Sequence, residues 1–330
     1  MSELTEVTRQ QARPGVRLQR CAVAALLALA LLLVPLVTND YTQYVVNSIL
    51  VYALAAVGFN VVLGYLGQLA FANAAFFGIG AYTVALLMHY AALPFPLALG
   101  GSAVTGALVG LVVGLPALRL KGYYLAIVTL VFGELMRWAY VHGGDITKGS
   151  GGLPVPEAAM FGVVADTDKA KYYVILAVVA AVIWSTNRIL RSRVGRAFVA
   201  IRENELACAS LGISPGRYKV IAFVWSGLVV AVAGGLFAIL LGRISPESFN
   251  LHQLLLHFAI VMIGGIGSLV GSIMGAVLLT AAPEILRNFP GLEEIIFSLL
   301  LIAVLLFLPR GLAGLAARLV PALKERLYRE

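Results

Sequence analysis

The chain reads as an all-α, polytopic membrane protein of about ten transmembrane helices, and three observations lead there. Hydrophobic residues make up 61% of its 330 positions, and mean hydropathy is +0.94. Charged residues make up only 12%, where a soluble domain carries about 25%. The apolar residues fall into successive runs near the ~20 that a bilayer requires. The net charge of +8 would point to nucleic acid in a soluble chain. Here its location along the chain carries the meaning.

Taken in order, the first apolar run is Cys21–Val37, behind Arg9, Arg13, Arg17 and Arg20. Basic residues before an apolar run resemble a secretory leader. This run exceeds the ~7–15 residues of a leader core and no A-x-A-like site follows, so it reads as a retained first span. The second is Tyr44–Leu63; a bend, GYLGQL, leads to the third, Ala70–Tyr90. The fourth is Leu97–Leu118 and the fifth Gly122–Val141. A long hydrophilic segment, 142–171, separates the fifth from the sixth, Tyr172–Asn187. The charged stretch 187–219 follows, then the seventh span, Val220–Leu241. The eighth, Leu254–Ile263, and ninth, Ser272–Leu286, flank a second bend, GGIGSLVG; both are short, and one of them reads equally well as re-entrant. The tenth is Glu294–Leu308. The domain reading is therefore an N-terminal segment 1–20, a transmembrane region 21–309 and a basic tail 310–330.

Orientation follows from Lys and Arg. With the N-terminus in the cytoplasm, 18 of the 24 cations fall on the cytoplasmic side, as the positive-inside rule demands. That places both termini and segment 187–219 in the cytoplasm, and segment 142–171 outside. Segment 187–219 holds Arg188, Arg191, Arg193, Arg196, Arg202, Arg217 and Lys219 against Glu203 and Glu205. Asn204 is a helix N-cap type, ELACASL a good helix former. Gly212 sits where a left-handed C-terminal cap belongs, and Pro215 ends continuation. The expectation is one short helix of about seven residues.

The bends share a pattern at an offset of 200: Gly64, Gly67 and Leu69 recur as Gly264, Gly267 and Leu269. In a chain with 34 glycines this is either coincidence or an internal repeat whose broken helices face a central pathway. Non-helical backbone is tolerated at membrane depth only beside protein or a water-filled cavity. Within the spans, Glu134 and Arg137 stand at i, i+3 and can pair, as a structural ion pair or a substrate contact. Asn60, Gln68, Asn73 and Thr129 are polar groups that either line a pathway or bond a neighbouring helix. Tyr123, Tyr124, Trp138, Tyr140, Tyr172 and Tyr173 lie near span ends, where aromatic belts form.

Catalytic chemistry finds no support. No G-x-x-x-x-G-K-[ST] phosphate loop occurs, and no H-E-x-x-H or nucleophile elbow. Cys21 and Cys208 cannot make a disulfide framework. An ion-coupled secondary transporter also uses broken helices, but it needs intramembrane carboxylates, and Glu134 is the one convincing case.

Five stretches carry a family resemblance. LGYLGQLAFANAAFFGIGAYTVALL (63–87), LRLKGYYLAIVTLVFGELMR (118–137), TKGSGGL (147–153), GRAFVAIRENELACASLGI (195–213) and IGGIGSLVGSIMGA (263–276) resemble the permease subunits of branched-chain amino acid ABC importers, of the LivM type. Phe71-Ala72-Asn73 departs from the Leu-Gly-His-like triplet common there. The resemblance implies a type II-like importer permease in a bacterial inner membrane, a non-catalytic subunit passing leucine, isoleucine or valine. It also implies a second, LivH-like permease subunit, two ATPase subunits that hold ATP and Mg, and an extracytoplasmic amino-acid-binding protein. This chain would hold no cofactor or metal. The 195–213 stretch would be the coupling loop, with Glu205, Ala207 and Gly212 on the E-x-A…G positions and Arg196 and Arg202 as further ATPase contacts. Gln68, Asn73, Thr129 and Glu134 are the candidates for the substrate pathway. A permease for another small polar solute, such as urea, shares this architecture.

Overall fold

A computed structural model describes residues 31–35, 38–157, 159–160, 163–164, 168–286 and 311–314. Helix α1 (Asp40–Asn60) runs on through a π-helical turn, Val61–Tyr65. It is followed by α2 (Asn73–His89), α3 (Phe95–Gly114) and α4 (Tyr123–His142). A short turn, α5 (Gly144–Thr147), precedes strands β1 (Leu153–Pro154), β2 (Ala159–Met160) and β3 (Val163–Val164). Then come α6 (Asp168–Arg191), α7 (Arg193–Glu203), α8 (Glu205–Ser210) and α9 (Pro215–Leu241). Strand β4 (Arg243–Ile244), α10 (Leu251–Gly264) and α11 (Leu269–Leu286) complete the set.

Among the described residues, five helices are long and apolar enough to cross a membrane: Asp40–Tyr65, Phe95–Leu118, Tyr123–His142, Lys169–Arg191 and Pro215–Leu241. Shorter apolar helices cover Asn73–His89, Leu251–Gly264 and Leu269–Pro283. The expected tenth span, the N-terminal segment, and most of the basic tail and of the first span lie outside the described residues. Spans expected to begin at Ala70 and Val220 begin instead at Asn73 and Pro215. In the first case the bend takes up the intervening residues. In the second, Pro215 occupies a helix N-terminal position that needs no N–H.

Helices α1 and α9 form the centre, with 72% and 78% of their most apolar windows buried, against 22% for α4 and α6. Past Lys219, α9 is apolar on nearly every side, and the buried residues of α1 are apolar apart from Gln43, Asn47, Ser48 and Asn60, which suits helices surrounded by other helices. The packing of α2 and α3 on α9 is backbone to backbone. A side chain at Gly80 would run into the Ala231 carbonyl, and one at Gly106 into that of Gly227. Without a hydrophobic drive between helices in lipid, close approach through such small residues supplies the dispersion contact that holds them.

The hydrophilic stretch after α4 folds back onto the far end of α9. Strand β1 pairs antiparallel with β4, Leu153 opposite Ile244, and Val155 N–H donates to the Gly242 carbonyl at 2.9 Å. Two residues placed in an aromatic belt by sequence position lie inside instead. Tyr140 stacks on Tyr82 at a centroid distance of 4.2 Å, and Tyr172 is fully buried. Tyr123, Tyr124 and Trp138 are exposed, as a belt requires.

Candidate functional site: the charged loop and the junction of the bends

The charged stretch holds more helix than its composition implies. Ser192 caps α7, its Oγ accepting from Val194 N–H at 3.1 Å. Gly195, Ala197, Phe198 and Ile201 turn inward, while Arg193 and Arg196 face out. The expected loop is thus an amphipathic helix that lies on the bundle. The short helix α8 follows directly. Asn204 caps it, Oδ1 accepting from Ala207 N–H at 3.0 Å. Its end is a Schellman closure: Gly212 N–H donates to Ala209 O at 3.1 Å and Ile213 N–H to Cys208 O at 3.0 Å. Gly212 has φ +81°, with open space where a side chain would stand. Only glycine adopts this at little cost. The helix has six residues, one fewer than expected because Leu211 belongs to the closing turn.

Glu205 fastens α8 to the bundle. One carboxylate oxygen accepts from Lys219 of α9 at 2.7 Å, the other from Lys121, just before α4, at 3.0 Å. The Lys219 side chain is 1% exposed and Glu205 26%. Partial burial pushes the Glu205 carboxyl up, but the two ammonium groups outweigh it and hold the group below its ordinary 4.5. A carboxylate kept charged against two cations is a fixed anchor at neutral pH. With Glu205 committed inward, Ala207 faces outward, and Leu206 and Leu211 are 79% and 80% exposed. These two exposed leucines make a small apolar knob. Sequence reasoning treated both leucines only as helix formers; their place in a charged stretch was the available signal.

Arg202 points elsewhere. Its side chain is 13% exposed and turns into the bundle, where Nη1 donates to the Gly64 carbonyl at 2.8 Å. Gly64 lies in the first bend, and that bend meets the second one here. Asn60, fully buried, accepts from Gly267 N–H at 2.9 Å and donates to Ser268 O at 2.9 Å and Ser272 Oγ at 2.7 Å. Gly67 and Gly267 share the left-handed backbone, φ +74° and +80°. The two stretches that match at an offset of 200 therefore share one left-handed glycine and touch one another, although the helix runs on to Tyr65 in the first and stops at Gly264 in the second.

The remaining intramembrane candidates separate. Thr129 Oγ1 accepts from Phe71 N–H at 2.7 Å and donates to Leu125 O at 2.8 Å, holding the bend against α4. Asn73 meets His257 Nδ1 at 2.7 Å, and Gln253 meets Nε2 at 3.0 Å, all three buried between Tyr52 and Phe77. His257 carried no sequence signal. Asn73 also lines a cavity with Phe59, Val62, Phe76 and Ser226. Gln68 is half-buried on the first bend. Glu134 and Arg137 pair at 2.9 Å, their side chains 43% and 41% exposed on the outer face of α4.

Several known proteins are similar to this chain in sequence. A family model described as branched-chain amino acid transport system / permease component matches residues 41–309. A LivM high-affinity branched-chain amino acid transport system permease protein of Escherichia coli K12 is 36% identical over 318 residues, covering 89% of this chain and 75% of the relative. The LivH permease protein of the same organism is 27% identical over 289 residues, 80% of this chain and 91% of the relative. The BraD permease protein of Pseudomonas aeruginosa is 28% identical over 297 residues, 83% and 96% respectively. No solved structure matches. With eight apolar helices described and the family pattern spanning 41–309, the chain belongs to the family of multi-pass membrane permease components of branched-chain amino acid transport systems.

Proposed function

We propose that this chain is the LivM-type permease subunit of an ABC importer, carrying leucine, isoleucine or valine inward across the bacterial inner membrane. A LivH-like permease, two ATPase subunits holding ATP and Mg, and an extracytoplasmic amino-acid-binding protein complete the assembly. In this reading the type II-like membrane domain has ten spans, both termini are cytoplasmic, and α8 seats in a groove on an ATPase subunit. The observation that carries it is the form of α8: capped at both ends, anchored by Glu205 to two lysines, and presenting Leu206 and Leu211 outward. A short helix that cannot deform transmits displacement as rigid-body motion. Ala207 and, on α7, Arg196 are exposed, and Gly212 sets the stop of α8.

Gln68, Asn73, Thr129 and Glu134 are proposed for the substrate path, and Glu134 has the strongest case. An ion pair well inside a span is costly against lipid and belongs beside protein or water. Its outer face on α4 therefore fits a boundary with the second permease, where a zwitterionic solute would pass.

The test is uptake in vesicles holding the whole assembly. Labelled leucine should accumulate only with ATP and only with both ATPase subunits present. Leu206→Asp should abolish co-purification of the ATPase without lowering the amount of membrane domain. Uptake by this chain alone in a proton gradient would sink the importer reading, and a substrate panel in which urea alone accumulates would sink the amino acid assignment.

A further inference from the structure

The tie between the charged loop and the two bends has a specific construction. Arg202 lies in the last turn of α7, two residues before the cap of α8, and α7 is held to the bundle by the buried side chains Phe198 and Ile201. From there Arg202 reaches the Gly64 carbonyl, at the end of the helix that begins at Asp40. The last carbonyls of a helix have no partner within it, and a cation there also meets the negative end of the helix dipole.

The guanidinium lies between the two bends rather than on one. A side chain at Gly67 would collide with the Arg202 stem, and one at Gly267 would stand 3.1 Å from Nη1. These glycines hold equivalent positions in the two matching stretches. Asn60 closes the arrangement by bonding the second bend from the first helix. One arginine from the loop thus touches the break in each half, and one asparagine locks the breaks to each other. Arg202 Nε is buried and makes no hydrogen bond among the described residues. An uncommitted buried donor costs free energy in this arrangement and gains a partner if the bends shift.

We infer that Arg202 is a positioning residue that couples the charged loop to both Gly-rich bends, delivering displacement of α7 and α8 to the two helix breaks as one movement. The inference rests on the importer reading. Asn60 keeps the bends together and Arg202 determines whether they follow the loop. Removing Asn60 should loosen the fold, and removing Arg202 should leave the fold and disconnect it.

The experiment uses the full reconstituted assembly with wild type, Arg202→Ala and Arg202→Lys. Arg202→Ala should keep ATP hydrolysis within about twofold while uptake per ATP falls by about tenfold, a coupling loss within the usual allosteric range. Lysine supplies one point charge instead of a fork, so Arg202→Lys should recover part of the lost uptake. Hydrogen exchange at 64–69 and 264–269 should respond to ATP in wild type and stop responding in Arg202→Ala. Hydrolysis and uptake falling together, or both unchanged, would overturn the inference. So would an exchange response that persists in Arg202→Ala. A wild-type assembly that shows no ATP-dependent uptake would instead remove the importer reading itself.

Discussion

Replacing Glu205 with alanine isolates the anchor of α8. The change removes the partner of Lys219, whose side chain is 1% exposed, and of Lys121, which is 60% exposed. Breaking a buried pair by deleting one member costs about 3–5 kcal/mol, because the other charge is left uncompensated. Glu205 is itself 26% exposed, so water reaches the site and the low end, about 3 kcal/mol, applies. The exposed Lys121 arm adds at most about 1 kcal/mol. Lys219→Met, by contrast, removes the costly buried ammonium and fills its volume, so it should cost about 1 kcal/mol or less. Hydrogen exchange over 205–213 in lipid nanodiscs reads this ordering directly. Glu205→Ala should speed exchange about a hundredfold, since ~1.4 kcal/mol is a factor of ten, and Lys219→Met less than about tenfold. Because the folded carboxyl lies below its ordinary 4.5, the folded form binds fewer protons than the unfolded there. Its stabilisation is complete above 4.5 and is lost as pH falls through the folded value. Wild-type protection, corrected for intrinsic rate, should therefore weaken on acidification below 4.5 while Glu205→Ala stays flat. Equal losses in Glu205→Ala and Lys219→Met would refute the reasoning.

Two further substitutions test backbone features. Gly80→Val should separate α2 from α9, because the side chain meets the Ala231 backbone, which cannot step aside; a loss of about 3 kcal/mol or more should appear as a lower Tm and a poorer monodisperse yield, whereas Gly100→Val, with open space at that position, should not. Gly212→Val also meets open space, yet φ +81° strains a β-branched residue by about 1–3 kcal/mol; uptake should fall while ATP hydrolysis and the membrane domain's Tm persist, and unchanged uptake would remove α8 from the docking role.

The legibility of this chain follows the range of the interactions involved. Apolar runs and cation placement are local sums, and they located the described spans to within a few residues at most ends. The caps of α8 were legible for the same reason: Asn204 and Gly212 act within one turn. Helix α7 was missed although it carried a signal, since Val194, Phe198 and Ile201 recur at i, i+4 and i+7 behind Ser192. Its arginines drew attention to charge instead of period. The repeat at offset 200 was visible as letters; Gly67 and Gly267 share a positive φ, while Gly265 has φ +124° where the matching Tyr65 continues a π-helical turn. Arg202 lay beyond sequence reasoning, because its partner carbonyl is 138 positions earlier and nothing local distinguishes it from Arg196. The Asn73–His257–Gln253 cluster was hidden likewise, since it needs the packing of α1, α2 and α10 to exist.

The bends also decide which helices can match a bilayer. Helix α10 has 14 residues and α2 has 17, so at ~1.5 Å each they reach about 21 and 26 Å, short of a hydrocarbon layer of ~30 Å. Helices α3, α4 and α6, the least buried of the long apolar helices, have 20, 20 and 24 residues and reach about 30 to 36 Å. Each short helix adjoins a bend, and a hydrophobic belt of bilayer length is left to the unbroken ones.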